Sequence, residues 1–152
     1  MNEYPVLYSF RRCPFAMRAR LVLHVCEITC ELREVVLKDK PQEMIDISAK
    51  ATVPVLQLPD ATVIDESYDI ILWAINQNDP NNWTSHLDEL AHLVKINDDE
   101  FKIHLDKYKY SSRHPELAKE GHRENANFFL KYLDDLLGKK SFLSAGHKTV
   151  TD

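Results

Sequence analysis

Glycine is nearly absent from this sequence. The 152-residue chain holds three, Gly121, Gly138 and Gly146, and its first 120 residues hold none. That excludes a P-loop and a G-x-G-x-x-G dinucleotide turn from this stretch, because both need glycine to bring backbone N–H groups against phosphate. Net positive charge is lacking as well. The formal charge is -5, with 8 Lys+Arg against 12 Asp+Glu in residues 1–80 and 11 against 12 in the remainder. Neither half is a basic module, so a nucleic-acid partner is not expected. No apolar run approaches the ~18 residues of a membrane span. The N-terminus lacks the basic and apolar regions of a signal peptide, so the expected compartment is cytoplasmic, with no membrane partner. Cysteine occurs three times, at Cys13, Cys26 and Cys30. An odd number makes no paired disulfide framework. In a reducing compartment a thiol is instead buried, metal-bound or reactive.

What is present is a folded alternation of elements. Residues 5–10 (P-V-L-Y-S-F) are short, β-branched and aromatic and predict a buried strand. Arg11-Arg12-Cys13-Pro14 ends it, and Pro14 suits a first helical position, where its missing N–H costs nothing. A helix follows, with Ala16, Ala19, Leu23 and Cys26 on one face. Residues 31–37 predict a second strand, 41–47 a short helix, 53–58 and 61–64 a hairpin, and 67–76 an apolar helix carrying Tyr68, Ile71, Leu72 and Ile75. The order βαβ, helix, ββα predicts a thioredoxin-like α/β layer over residues 1–77. Residues 78–84 (N-D-P-N-N-W-T) read as a linker. Residues 85–152 read as all-helical. Leu87, Leu90, Val94, Phe101, Leu105 and Tyr108 form one seam, with a kink expected near Asp98, where Asn97 and Asp98 compete for backbone hydrogen bonds. A second helix opens at Pro115, carries Ala118, His122, Phe129, Leu133 and Leu136 on one side, and stops at Gly138 as its C′ residue.

Cys13 carries the chemical argument. It stands between a strand and a helix, at the helix N-cap, with Arg11 and Arg12 before it. Helix N-terminal N–H groups and nearby positive charge favour a thiolate, which is the nucleophile of thiol–disulfide exchange. The motif is C-P-F-A, with Ala16 where a dithiol C-x-x-C enzyme has its second cysteine. A resolving thiol must then come from solution or elsewhere. Cys26 and Cys30 read as structural. Thr52-Val53-Pro54 places a proline inside a strand; a cis peptide before Pro54 would account for it and turn the Val53 backbone toward an extended ligand, while the plainer reading is an edge-strand proline. Asp65-Glu66-Ser67 supplies ordinary capping residues, or else free N–H groups for a ligand carboxylate with Glu66 for an ammonium. The seven histidines have no zinc spacing, and each reads as a surface or lightly packed residue, so no metal is expected.

R-R-C-P-F-A-x-R-A-R-L, T-V-P-V-L and I-D-E-S, in this order, resemble the glutathione-binding domain of glutathione transferases. The cysteine in C-P-F-A, with L-K-D-K-P at residues 37–41, is most similar to the omega-like, cysteine-type class and its bacterial relatives. F-K-I-H-L-D-K-Y-K-Y at residues 101–110 resembles the second domain of those relatives. The resemblance implies that Cys13 is the catalytic thiol, Phe15 lines the site, and Lys40 meets the glycyl carboxylate of glutathione. It implies that the Val53 backbone, set by cis-Pro54, pairs with the cysteinyl part, and that Glu66 and Ser67 hold the γ-glutamyl group. The implied activity is a glutathione-dependent thiol transferase or dehydroascorbate reductase, with glutathione as co-substrate, a small-molecule or protein-thiol substrate, and a homodimer.

Two alternatives stand beside it. One is a non-enzymatic regulator or scaffold on the same fold, and the other is conjugation of glutathione to electrophiles. Conjugation would use a hydroxyl such as that of Tyr8, which its place inside the first strand marks as a packed aromatic. In that family residues 142–152 resemble the approach to a further core helix, with a capping box from Thr149 to Asp152. The expectation is therefore a partial, shortened helical domain that leaves Phe129 and Leu133 under-covered.

Overall fold

A computed structural model describes residues 3–115 and 118–152. The sheet begins with β1 (Val6–Ser9), whose four residues are all buried because helices cover both of its faces. Val6 and Tyr8 point to one side, where they meet Val35, Val55 and Met44. Leu7 and Ser9 alternate to the other. The polypeptide then forms α1 (Pro14–Val25), β2 (Glu31–Glu34), α2 (Gln42–Ile47), β3 (Val55–Gln57), β4 (Val63–Ile64) and α3 (Ser67–Gln77). The strand order is β2-β1-β3-β4. β1 and β2 run parallel, while β3 is antiparallel to both β1 and β4. This is the thioredoxin-like mixed sheet that the βαβ-α-ββα order predicts. α1 packs on α3, and Ala16, Ala19, Leu23 and Cys26 form the buried face of α1.

The second strand is shorter than its sequence suggests. It is an edge strand and its one neighbour, β1, stops at Ser9. The Val35 N–H still reaches the Ser9 carbonyl at 2.7 Å. Beyond that no partner remains, so Val36 and Leu37 lie exposed in a turn closed by a Val36–Asp39 bridge.

The chain divides into two compact units, Met1–Thr84 and Ser85–Asp152. Toward the end of the first, the Asp79 carboxylate accepts the N–H groups of Trp83 and Thr84, so the segment expected to be a plain linker runs into a 3-10 turn, Trp83–His86. The second unit is helical: α4 (Leu87–Ile96), α5 (Lys102–Lys109) and α6 (Lys119–Leu137). The irregularity expected near Asp98 takes the form of a π-helical turn, Asn97–Phe101, in which the Asn97 side chain donates to Asp98 at 2.8 Å. That turn brings Phe101 to 5.4 Å from Phe129.

Several expectations for this unit change. Phe129 is buried and Leu133 half-buried, and the exposed large apolar side chains of α6 are Phe128 (71%), Leu130, Tyr132 and Leu137. His122 is not a surface residue: it is 2% exposed, with Nδ1 3.3 Å from Nδ1 of His104. Pro115 precedes α6 rather than opening it, and residues 116 and 117 lie outside the described residues. Gly138 caps α6 at φ -65, a right-handed conformation open to any residue, so its glycine freedom is not used. At Thr149 half of the expected box forms: the Asp152 carboxylate accepts the Thr149 N–H at 2.8 Å.

Scarce glycine leaves a mark on the backbone. Glu27, Ala51, Ala61 and Asn82 all have positive φ, from 49 to 69. Ala61 (φ 69) lies in the turn between β3 and β4, where its Cβ crowds the following carbonyl. Ala61→Gly should stabilise the protein by about 1 kcal/mol in urea unfolding, with an unchanged m-value. A loss of stability would show that this conformation carries no penalty here.

Candidate active site

The turn between β1 and α1 is gripped from inside the molecule. Arg20, one of two α1 arginines with no assigned role from sequence, sends its guanidinium back along the helix. Nη1 donates to Ser9 Oγ at 2.6 Å and to the Phe10 carbonyl at 3.3 Å, and Nη2 donates to the Arg11 carbonyl at 3.0 Å. The Arg11 N–H donates to Glu34 Oε1 at 2.7 Å, and the Cys13 N–H donates to the Phe10 carbonyl at 3.0 Å. Cys13 is thereby set in extended conformation (φ -78, ψ 122) as the N-cap of α1, with Pro14 at the first helical position.

The cis peptide expected at Val53-Pro54 is present. The Cys13 Sγ lies 3.6 Å from the Val53 carbonyl oxygen and donates to it, across 40 positions in sequence. Cys13 is half-buried, as are Phe15 and Val53, and Pro54 is buried. Burial pushes the Cys26 thiol upward from its ordinary pKa, with the Asp79 charge adding to it, and burial does the same to Cys30. Both therefore stay protonated at neutral pH, in keeping with structural roles.

At the start of α3 the side chains do not cap the helix. Glu66 is the N-cap residue and makes no capping hydrogen bond. Instead, the Asp65 carboxylate accepts Ser48 Oγ at 2.8 Å and Lys50 Nζ at 3.0 Å, and Glu66 Oε1 accepts the same ammonium at 2.6 Å. Ser67 is buried, and its hydroxyl accepts Nε–H of Arg18 at 2.9 Å. The Arg18 guanidinium also lies 5.0 Å over the Phe15 ring, so α1 and α3 are tied beside Cys13.

The structure thus brings Cys13 against Val53 and cis-Pro54, and links Phe15 to Ser67 through Arg18. Lys40 is half-buried at the end of the loop before α2, and no ion pair is recorded for it among the described residues. Tyr8 lies in the core with Met44, 1% exposed, and its hydroxyl accepts Arg33 Nη1 at 3.0 Å. Sequence reasoning missed Lys50 and the working partners of Arg18 and Arg20. The signal available for Lys50 was indirect: adjacent carboxylates at a helix start call for a nearby cation. No group of three or more metal-ligating side chains occurs among the described residues. Nor is any helix among them long and apolar enough to cross a membrane.

Residues 7–83 match the family model for the glutathione S-transferase N-terminal domain. The chain belongs to the glutathione S-transferase family. Its fold is similar along 99% of its length to unclassified glutathione S-transferase 2 of Bombyx mori, at a TM-score of 0.82 and 15% identity, covering 74% of that chain. It is equally similar in fold to glutathione transferase Omega 3C of Trametes versicolor, at a TM-score of 0.82 and 17% identity, covering 99% of this chain and 69% of that one. A glutathione S-transferase of Methylobacillus flagellatus, solved with glutathione bound, superposes on 97% of this chain and 77% of its own at a TM-score of 0.80 and 20% identity. Among curated proteins, pyrimidodiazepine synthase of Drosophila melanogaster is 38% identical over 64 residues, which is 40% of this chain and 26% of that protein.

One consequence concerns acid stability. Hydrogen bonds from Ser48 and then Lys50 hold the Asp65 carboxyl below its ordinary value. Because the folded value is depressed, the stabilisation is present above the unfolded pKa of about 3.9 and is lost as pH falls through the folded value. Asp65→Asn should flatten the stability–pH profile below about pH 4, measured by urea unfolding at stepped pH. An unchanged acid limb would mean that this network does not form in solution.

Proposed function

We propose that this chain is a cysteine-type, omega-like glutathione thiol transferase, with Cys13 as the nucleophile. The observation that carries the reading is the Cys13 thiol at the N-terminus of α1, against the Val53 carbonyl, in a C-P-F-A motif with no second cysteine. In the proposed cycle the Cys13 thiolate attacks the glutathionyl sulfur of a mixed disulfide. A sulfur–sulfur bond to Cys13 forms, the substrate's bond to glutathione breaks, and the substrate thiolate leaves and takes up a proton. A second glutathione, as thiolate, then attacks the sulfur of the bound glutathionyl group. Glutathione disulfide departs and the Cys13 thiolate returns. Each turn thus reduces one mixed disulfide by two electrons and consumes one free glutathione thiol, the other half of the glutathione disulfide coming from the substrate. Dehydroascorbate accepts the same two electrons and is a candidate small substrate.

Other residues support this cycle. Once Cys13 is bonded to sulfur it no longer donates to Val53, so that carbonyl becomes available to an amide N–H of the bound tripeptide. Glu66 and Ser67 would hold the γ-glutamyl end, with Phe15 beside the sulfur and Lys40 reaching the glycyl carboxylate. The hydroxyls that conjugating transferases use have other partners in this fold: Tyr8 holds Arg33 and Ser9 holds Arg20. The proposal includes a homodimer, the arrangement typical of the family, working in the cytosol, where glutathione is abundant and reduced.

Incubation with oxidised glutathione followed by intact-mass measurement tests the nucleophile. The wild-type protein should gain a single glutathionyl group, and Cys13→Ala should gain none. An equal adduct on Cys13→Ala would move the chemistry to another thiol. No adduct and no binding in the wild type would favour the non-enzymatic scaffold.

A further inference from the structure

The start of α3 carries an electrostatic problem that one residue outside it solves. Asp65 and Glu66 place two carboxylates side by side. Lys50 Nζ meets both, at 3.0 Å and 2.6 Å. Ser48 fixes the far oxygen of Asp65 at 2.8 Å. The two ion pairs are partly solvated, with the Lys50 side chain 49% exposed and those of Asp65 and Glu66 27% and 58% exposed. Lys50 is therefore not a buried prop of the core, and its two ion pairs lie at the helix start to which the proposed function assigns the γ-glutamyl end of the ligand.

We infer that Lys50 is a positioning and charge-balancing residue for an anionic ligand with a zwitterionic head, and that it strengthens binding of such a ligand by neutralising one of the two carboxylates of the acidic turn. The inference rests on the reading of this site as a glutathione site. Free glutathione carries two carboxylates and one ammonium, so it is a net anion. Its ammonium needs Glu66, but its carboxylates are repelled by a turn of charge minus two. With Lys50 in place the turn carries one net negative charge. Lys50 engages Oε1 of Glu66, so the ligand's ammonium goes to the second oxygen. Ser67 accepts from Arg18, which leaves its hydroxyl hydrogen for the ligand's α-carboxylate. Lys50 also precedes Val53 by three residues, so the same ion pairs tie the loop carrying Val53 to the helix carrying Ser67. Hydrogen bonds to Glu66 and Asp65 raise the Lys50 pKa, which keeps the ammonium charged throughout the working range.

Calorimetric titration with glutathione tests this on four proteins: wild type, Lys50→Met, Lys50→Arg and the double variant Lys50→Met/Asp65→Asn. Lys50→Met should bind about tenfold more weakly at low salt, with the loss shrinking as ionic strength rises. In the thiol-transfer assay it should raise KM and leave kcat near wild type. Lys50→Arg should bind within about threefold of wild type, since it keeps the charge. The double variant should also recover to within about threefold, because it removes one charge of each sign, and a merely structural role predicts no such recovery. Equal binding by Lys50→Met and wild type would overturn the inference, as would a double variant as weak as the single one. Should Lys50→Met lose its fold by circular dichroism, the double variant decides the matter by its own affinity. Failure of the wild type to bind glutathione is a different result and rejects the site reading itself.

Discussion

The carbonyl of Val53 meets the thiol of Cys13 at 3.6 Å, and what the site can do depends on what holds those two groups opposite each other. On one side is Arg20, whose guanidinium reaches the Ser9 hydroxyl and the Phe10 and Arg11 carbonyls and so shapes the turn from which Cys13 projects. On the other is the segment before Pro54, tied to the start of α3 by Ser48 and Lys50. In the sheet, β1 is buried along its whole length and paired on both edges. A ligand entering here meets preset backbone and side-chain groups, which lowers the ordering cost of binding.

The scarcity of glycine belongs to the same picture. Sites that bind phosphate often cradle it with glycine-rich backbone. The glutathione site proposed for this chain would be built instead from a proline loop, a helix start and salt-bridged side chains. The chain still needs left-handed backbone conformations in places, and it fills them with Glu27, Ala51, Ala61 and Asn82. Ala51 lies between Lys50 and the Thr52-Val53-Pro54 segment, so one of these turns helps aim the loop that faces Cys13.

Much of this was legible from residues alone. Residue composition, turn residues and apolar helix faces placed the strands and α-helices of the first unit, and Pro14 fixed the start of α1 because proline is tolerated at a helix start and not inside. Pro54 within a strand pattern pointed to an unusual peptide geometry. Other features resisted because they depend on long-range partners. β2 stops early because β1 runs out. Asp65, Glu66 and Ser67 look like caps in any local reading, yet Ser48, Lys50 and Arg18 claim their side chains from 15 to 49 positions away. His122 reads as an ordinary helical histidine, but the π-helical turn and the pairing of α5 with α6 bury it beside His104. In each case the sequence shows the polar group and the fold chooses its partner.

A crystal structure of the protein soaked with oxidised glutathione tests the central claim most directly, because it locates the sulfur. The account predicts a mixed disulfide, with the glutathionyl sulfur bonded to Cys13 at about 2.05 Å, the tripeptide backbone paired with Val53 and the γ-glutamyl ammonium at Glu66. A glutathione whose sulfur points to Tyr8 or Ser9, or one bound away from the cis-Pro54 loop, would contradict it.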